Sequence, residues 1–363
     1  MPACYFPLHV RVALFDYELP VDRIAQEPRP RGESRLLVLP RASASGPDSI
    51  AHLRFADFPR LLREGDLLVR NDVRVRPARL YGKDAEDRLV EIFLLRAEDD
   101  ARRWRTLAKP GRRAKPGRIL RFEEGLTARV EAVDPAGGER TVVFDRPLDP
   151  ALLDRIGRTP LPPYIRREAG APDRPADRAA YQTVFARQPL AVAAPTAGLH
   201  FTDEILDAIR ARGVTIADLT LAVGAGTFKP VTAEDTGGHA MSAEDVVIPV
   251  ETIRALVRAR REGRRVVAVG TTVARSLEAA IQLLGPLEGE PVDDLRFSTD
   301  LFIMPGFEFR AVDALLTNFH LPRSTLLMLV SALTGRERIL AAYAEALREG
   351  YLFYSFGDAM FIA

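Results

Sequence analysis

The sequence predicts an α/β protein in which a large, discontinuous α/β domain, residues 1–65 and 150–363, carries a small inserted β-barrel domain, residues 66–149. Three observations lead to it. Between Asp66 and Asp145 the runs DLLVR, ARLYG, RLVEIFLLR, WRTLA, RILRF, LTARVEAV and RTVVF are short and rich in β-branched and aromatic residues, and Gly, Pro and Asp turns leave no room for a long helix between them. From Leu190 onward, apolar strand-like runs alternate with amphipathic helical stretches, the pattern of a largely parallel sheet. The N-terminal segment ends in one buried strand, LLVL at 36–39, and holds too few helices to stand alone.

Along the chain, residues 14–40 are punctuated by proline up to that strand. After the barrel runs, PLDPALLDRIG reads as a short helix leading into the proline-rich loop RTPLPPYIRR. LAVAAPT then precedes the helix TDEILDAIRARG, and VTIADLTLAV precedes a Gly-rich turn. ETIRALVRARREG leads to the strand RVVAVG, the helix TTVARSLEAAIQLLG and a further strand, TDLFIMPG.

Composition narrows the function classes. The chain has 363 residues, 47% hydrophobic and 28% charged, which suits a folded protein of about two domains. Its formal net charge of +1 means that any polyanion must find a local basic patch. The single cysteine, Cys4, excludes an internal disulfide, a four-thiolate zinc site and a three-thiolate iron–sulfur site, and fits a reducing cytoplasm. The start of the chain lacks a charged head followed by an apolar core, and no apolar run approaches the roughly 18 residues needed to span a bilayer, so a cytoplasmic protein without membrane contact is expected. Only Lys83, Lys109, Lys115 and Lys229 are lysines; arginine is the default solvated cation here, and a lone Arg says little about function.

Ligands of open α/β sheets gather at the carboxyl ends of strands, where loops and helix starts expose backbone N–H groups. Three segments have that form: LAVAAPTAGLHFT with Thr202 as helix cap, AVGTTVARSLE with Thr271 or Thr272 as cap and Arg275 one turn in, and TNFHLPRSTLLMLV with Pro322 and Ser324 at the helix start. Ordinary capping accounts for each one singly, while each also offers hydroxyl and N–H groups to a carboxylate or phosphate. Gly224 and Gly226 of VGAGTFKPV follow an apolar strand and allow close backbone approach, but complete neither a dinucleotide fingerprint nor a P-loop. Residues 102–118, RRWRTLAKPGRRAKPGR, hold eight basic residues, no acidic one and Trp104, a composition suited to phosphate contacts and base stacking; the alternative is a solvated barrel edge. His9, His52, His200, His239 and His320 show no metal-ligand spacing, so no metal is expected. His200 and His320 sit in two of the strand-to-helix turns, where a neutral imidazole can take a proton.

These same segments resemble a known family, the S-adenosylmethionine:tRNA ribosyltransferase-isomerases of queuosine biosynthesis. The resemblance rests on FDYELP with IAQ at 15–26, SRLLVL at 34–39, GDLLVRNDVRVRPARL at 65–80, LPPYIRR at 161–167, YQTVFA at 181–186 and AVAAPTAGLHFT at 191–202. It continues through VGAGTFKPV at 223–231, VGTTVARSLE at 269–278, LFIMPGFEFRAVDALLTNFHLPRSTLLMLVSAL at 301–333 and YSFGDAMFI at 354–362.

The resemblance implies the same architecture and a transferase reaction in which S-adenosylmethionine, a co-substrate, gives its ribosyl part to 7-aminomethyl-7-deazaguanine at the tRNA wobble position. Epoxyqueuosine forms, adenine and methionine leave, and no metal takes part. At the reacting centre it implies Thr196, His200, Asn318, His320, Arg323 and Ser324, with a His as base or proton donor. Thr271 and Thr272 would hold the methionine carboxylate, and Gly224, Gly226 and Thr227 would admit the adenosyl portion. Asn71, Asp72, Arg74 and Arg79 are expected to position RNA or to organise the site, and RNA contacts are expected from Arg102, Arg103, Trp104, Arg105, Lys109, Arg112, Arg113 and Lys115 of the basic run. A monomer or homodimer is expected. The chain departs from the family pattern at Ala222 and Ser242, where His is common, and at Leu190, where Gly is common. The alternatives are a catalytically impaired tRNA-binding relative and a different S-adenosylmethionine-dependent RNA-modifying enzyme.

Overall fold

A computed structural model describes residues 10–41, 50–98, 100–135, 138–222, 224, 233–285 and 291–363. The chain divides into two compact units, one of Met1–Val73, Thr183–Gln188 and Pro195–Ala363, the other of Arg74–Gln182 and Pro189–Ala194. The change-overs fall later than the expected boundaries at 66 and 149, and the packing gives the reason. DLLVR, expected in the barrel, forms the strand Leu67–Asn71 inside the large sheet, with every residue buried. A run covered on both faces suits a parallel strand under helices better than a barrel wall. Likewise the helix Pro150–Ile156 sends Leu152, Leu153 and Ile156 into the barrel core.

The first unit is built on a nine-stranded sheet in the order Leu295–Thr299, Glu244–Ile248, Thr215–Leu221, Leu67–Asn71, Val266–Val269, Ala314–Asn318, Ala359–Ile362, Arg35–Leu39, Ala51–Arg54. Its middle, from Thr215–Leu221 to Ala314–Asn318, is parallel, as alternating strands and helices predict. The flanks make the sheet mixed rather than largely parallel. Arg35–Leu39 and Ala51–Arg54, for example, lie too close in sequence for the dozen-residue crossover that a parallel pair needs. Two further expectations change. LAVAAPT contributes only the end of Gln188–Ala191, which pairs with Val73–Val75 outside the large sheet. TDLFIMPG is not a strand: residues 300–312 follow Leu295–Thr299 without helix or strand, and Glu278 anchors their end by accepting the N–H groups of Arg310, Ala311 and Val312, each at 2.9 Å.

The helices Asp203–Ala211, Val250–Arg261 and Thr271–Leu284 form where the apolar spacing places them. Beneath the first of them Phe55, Phe58, Phe201 and Phe361 make an aromatic core, with Phe58 and Phe361 edge to face at 5.2 Å.

The second unit holds a closed six-stranded barrel, ordered Arg140–Phe144, Arg103–Lys109, Leu89–Glu98, Arg79–Lys83, Ile119–Arg121, Thr127–Val133. Two-residue alternation sends Val90, Ile92 and Leu94 inward, against Leu120, Val130 and Val142. Among the described residues no helix is long and apolar enough to cross a membrane.

Candidate active site

The parallel strands of the first unit end on one edge of the sheet, and flanking strands begin there. Asn318 stands opposite Ala359, and Ala359 opposite Leu36, so Asp358 and Ser34 lie beside the end of Ala314–Asn318. On the other flank Leu221 pairs with Val246, which brings Glu244 to the same edge. The turn Thr196–His200 packs there against Ala314–Asn318, opened by half-buried Thr196. It also meets the start of the helix Thr271–Leu284: a Cβ on Gly270 would stand 3.8 Å from Cβ of Ala197.

His200 is buried in this turn. Nδ1 lies 3.0 Å from Ser34 Oγ, and Nε2 lies 3.1 Å from Asn318 Nδ2. Because the amide nitrogen can only donate, Nε2 is the acceptor and the ring proton sits on Nδ1. Asn318 is oriented in turn by Tyr354, whose carbonyl accepts from Nδ2 at 3.1 Å. Burial, helped by the Arg31 cation, lowers the His200 pKa to about 4. Phe55 covers the ring at 5.1 Å between centroids. Both ring nitrogens are thus engaged, Nδ1 by Ser34 and Nε2 by Asn318. The carbonyl Oδ1 of Asn318 is buried and, among the described residues, has no hydrogen-bond partner.

His320 is the other buried imidazole, its pKa lowered to about 3 by desolvation. Nε2 lies 2.9 Å from Thr317 Oγ1, and among the described residues Nδ1 has no hydrogen-bond partner. Its backbone is clamped: the N–H donates to Tyr343 Oη at 3.0 Å, and the carbonyl accepts from Tyr17 Oη. Ser324 caps the helix Thr325–Thr334, accepting from the N–H of Leu327 at 3.2 Å, as the sequence predicts. Thr202 caps Asp203–Ala211 in the same way. Arg323 adopts φ 56°, its N–H bound to the Phe15 carbonyl at 2.9 Å and its side chain exposed.

Thr271 and Thr272 are not caps. The cap position falls on Gly270, at φ 91°, a conformation open to glycine and costly for a threonine. Both threonines lie buried in the first turn, which no side chain among the described residues caps. One turn on, Arg275 pairs with Glu244, and Glu244 accepts from the N–H of Gly224 at 3.2 Å. Gly226 and Thr227 lie outside the described residues.

The residues expected to contact RNA divide. Asn71 is buried and ties strand ends together, its Oδ1 accepting from the N–H groups of Val73 and Leu221 at 3.1 Å each. Asp72 is buried too, accepts from Thr220 Oγ1 at 2.7 Å, and has its pKa raised by desolvation. Buried side chains tied to strand ends suit the expected organising part rather than direct contact with RNA. Arg79 donates to the Leu161 carbonyl at 2.8 Å, whereas Arg74 is exposed. Trp104 is not available for stacking: it is buried in the barrel core, and Nε1 donates to the Ala101 carbonyl at 2.8 Å. As its strand neighbours, Arg103 and Arg105 must face the other way. There Arg103 meets Glu98 and Glu131, and Arg105 meets Glu139 at 3.0 Å, which neutralises them. Arg102 and Arg113 bind the carbonyls of Asp145 and Leu89. Lys109, Arg112 and Lys115 are exposed.

Sequence reasoning misses Ser34, Tyr17 and Asp358 as site residues. Asp358 is fully buried, its carboxylate accepting from the N–H groups of Arg35 and Leu352 and from Arg29 Nη1, each at 2.8 Å. The available signal was an ionisable residue inside the apolar run YSFGDAMFI. Of the departures, Ala222 bonds through its N–H to the Asp245 carbonyl at 3.2 Å, while Ser242 and Leu190 are exposed. Among the described residues no group of three His, Cys, Asp or Glu is placed to hold a metal.

Residues 12–362 match the family model described as queuosine biosynthesis protein. The chain is 50% identical, over 97% of its length and the whole of the relative, to S-adenosylmethionine:tRNA ribosyltransferase-isomerase of Moorella thermoacetica. It is 49% identical, with the same coverage, to the protein of that name from Heliobacterium modesticaldum. A crystal structure of S-adenosylmethionine tRNA ribosyltransferase from Thermotoga maritima is similar at TM-score 0.53 and 37% identity, covering 96% of this chain and all of that one.

Proposed function

The chain belongs to the queuosine biosynthesis protein family, and from that premise we propose how its sheet edge serves a S-adenosylmethionine:tRNA ribosyltransferase-isomerase. The substrates are S-adenosylmethionine and tRNA. The modified base is 7-aminomethyl-7-deazaguanine at the wobble position, the product epoxyqueuosine, and the place of action the cytoplasm. The observation that carries the site assignment is the gathering of two buried neutral imidazoles, the unpartnered Asn318 Oδ1 and an uncapped helix start on one edge of one sheet.

Orphaned buried polar atoms fit a polar substrate that would satisfy them. S-adenosylmethionine supplies a sulfonium, which acidifies the neighbouring ribose carbon and makes methionine a good leaving group. His320, with Nε2 held by Thr317 and Nδ1 open, takes a proton; being neutral at neutral pH, it enters as acceptor rather than donor. His200 holds the Asn318 amide so that Oδ1 faces a substrate hydroxyl or amino donor. The start of Thr271–Leu284, with Thr271 and Thr272, holds the methionine carboxylate, and Gly224 lets the adenosyl group approach backbone. Thr196, Arg323 and Ser324 shape the surrounding turns. Exposed Arg74, Lys109, Arg112 and Lys115 contact RNA phosphates. Relatives matched over nearly the whole chain bear the enzyme's name, and no observation favours an impaired relative.

The test incubates the protein with S-adenosylmethionine and tRNA carrying 7-aminomethyl-7-deazaguanine, and measures adenine and the modified nucleoside by mass spectrometry. Equal amounts of both are expected, with His320→Ala lowering turnover at least about 100-fold. Bound tRNA without adenine release removes the activity from this chain; full turnover by His320→Ala removes His320 from proton transfer.

A further inference from the structure

The ion pair between Arg275 and Glu244 leaves much of the guanidinium unused. Nη1 faces Glu244 Oε2 at 2.9 Å, with side chains 5% and 6% exposed. Nε and Nη2 of Arg275 are buried and, among the described residues, without a hydrogen-bond partner. Those two nitrogens share the side-on edge of the guanidinium, the edge that presents two parallel N–H groups to a planar carboxylate.

Its surroundings suit an anion. Arg275 lies one turn inside Thr271–Leu284, and helical side chains lean back toward the N-terminus, here a first turn that no side chain among the described residues caps. Glu244 Oε1 accepts from Gly224 N–H at 3.2 Å, which fixes the carboxylate and through it the angle of the guanidinium. A buried guanidinium edge left open is costly, and a ligand carboxylate would repair it.

Resting on the assignment of S-adenosylmethionine as substrate, we propose that the Nε–Nη2 edge of Arg275 receives the α-carboxylate of its methionyl group, and that Glu244 is the positioning residue that holds the guanidinium. The turn at Gly270 and the first-turn N–H groups complete the receptor.

Calorimetric titration of the protein bound to tRNA compares S-adenosylmethionine with its decarboxylated analogue, which keeps the sulfonium, ribose and adenine. The wild type is expected to bind the analogue about 10- to 100-fold more weakly. Arg275→Gln should weaken S-adenosylmethionine by the same factor and leave the analogue unchanged, and Glu244→Gln should raise KM for S-adenosylmethionine more than it lowers kcat. Equal wild-type affinities overturn the proposal, and that comparison needs no variant to fold. Loss of tRNA affinity in Arg275→Gln, with S-adenosylmethionine binding intact, overturns it in favour of an RNA phosphate. Adenine release by the wild type is read in parallel: equal affinities with release intact remove this inference alone, whereas no release removes the reading on which it rests.

Discussion

Asn318 donates from Nδ2 to Nε2 of His200 across 3.1 Å and thereby dictates which ring nitrogen carries the proton. The other nitrogen, Nδ1, is left to donate to Ser34 Oγ at 3.0 Å. Asn318→Asp replaces that donor with a carboxylate, which can only accept, so the proton moves to Nε2 and the imidazolium form becomes more favourable. Selective 15N labelling of histidine should then show the two His200 nitrogens exchanging protonated and unprotonated shifts, while adenine release falls about 100-fold. Unchanged nitrogen shifts would show that Asn318 does not set the tautomer.

Burial of the two imidazoles makes stability depend on pH in a definite direction. Both titrate from an ordinary value of 6.5, lowered to about 4 for His200 and about 3 for His320. Above 6.5 native and unfolded chains both carry neutral rings, and the full stability is present. As pH falls below 6.5 the unfolded chain binds protons that the native rings refuse, so each ring costs up to about 1.4 kcal/mol per pH unit. The loss is complete only once pH passes the native values near 4 and 3. Urea unfolding at pH 7 and pH 5 should show the fall, and His200→Asn should show a shallower one; parallel slopes in the two proteins would mean that His200 titrates normally in the fold.

Local chemistry made much of this edge legible, and distance in sequence hid the rest. The caps Thr202 and Ser324 could be found because a side-chain oxygen and the N–H three residues later are close in the chain. Ser34 lies 166 residues from His200, and no periodicity announces a polar pair made by strand order. Capping preference favours threonine and so puts the cap of Thr271–Leu284 at least one residue late, whereas the turn at φ 91° demands Gly270. The company of short strands points DLLVR to the barrel; its uniform burial, which marks a central parallel strand, outweighs that. For Trp104 the signal is local. RRWRT alternates on a strand, so the indole and the flanking arginines could not all present one face to a partner.

That alternation separates two roles within the basic run, and they can be tested apart. Lys109, Arg112 and Lys115 are exposed, and among the described residues no carboxylate pairs with them, so their charge is free to meet phosphate. The triple change Lys109→Ala, Arg112→Ala and Lys115→Ala should weaken tRNA binding and lower the slope of log affinity against log salt by about 2, since each phosphate contact contributes roughly 0.7 to 0.9. Trp104→Phe should leave tRNA affinity and its salt slope alone. It removes the hydrogen bond from Nε1 to the Ala101 carbonyl and leaves space in the barrel core, at a cost of about 1 to 3 kcal/mol in unfolding free energy. Filter binding across a salt series, set beside urea unfolding of each variant, reads both effects. Were Trp104→Phe to lose tRNA affinity at unchanged stability, the indole would belong to the RNA surface after all. An unchanged salt slope in the triple variant would place the phosphate contacts elsewhere, with exposed Arg74 and Arg118 the next cations to change.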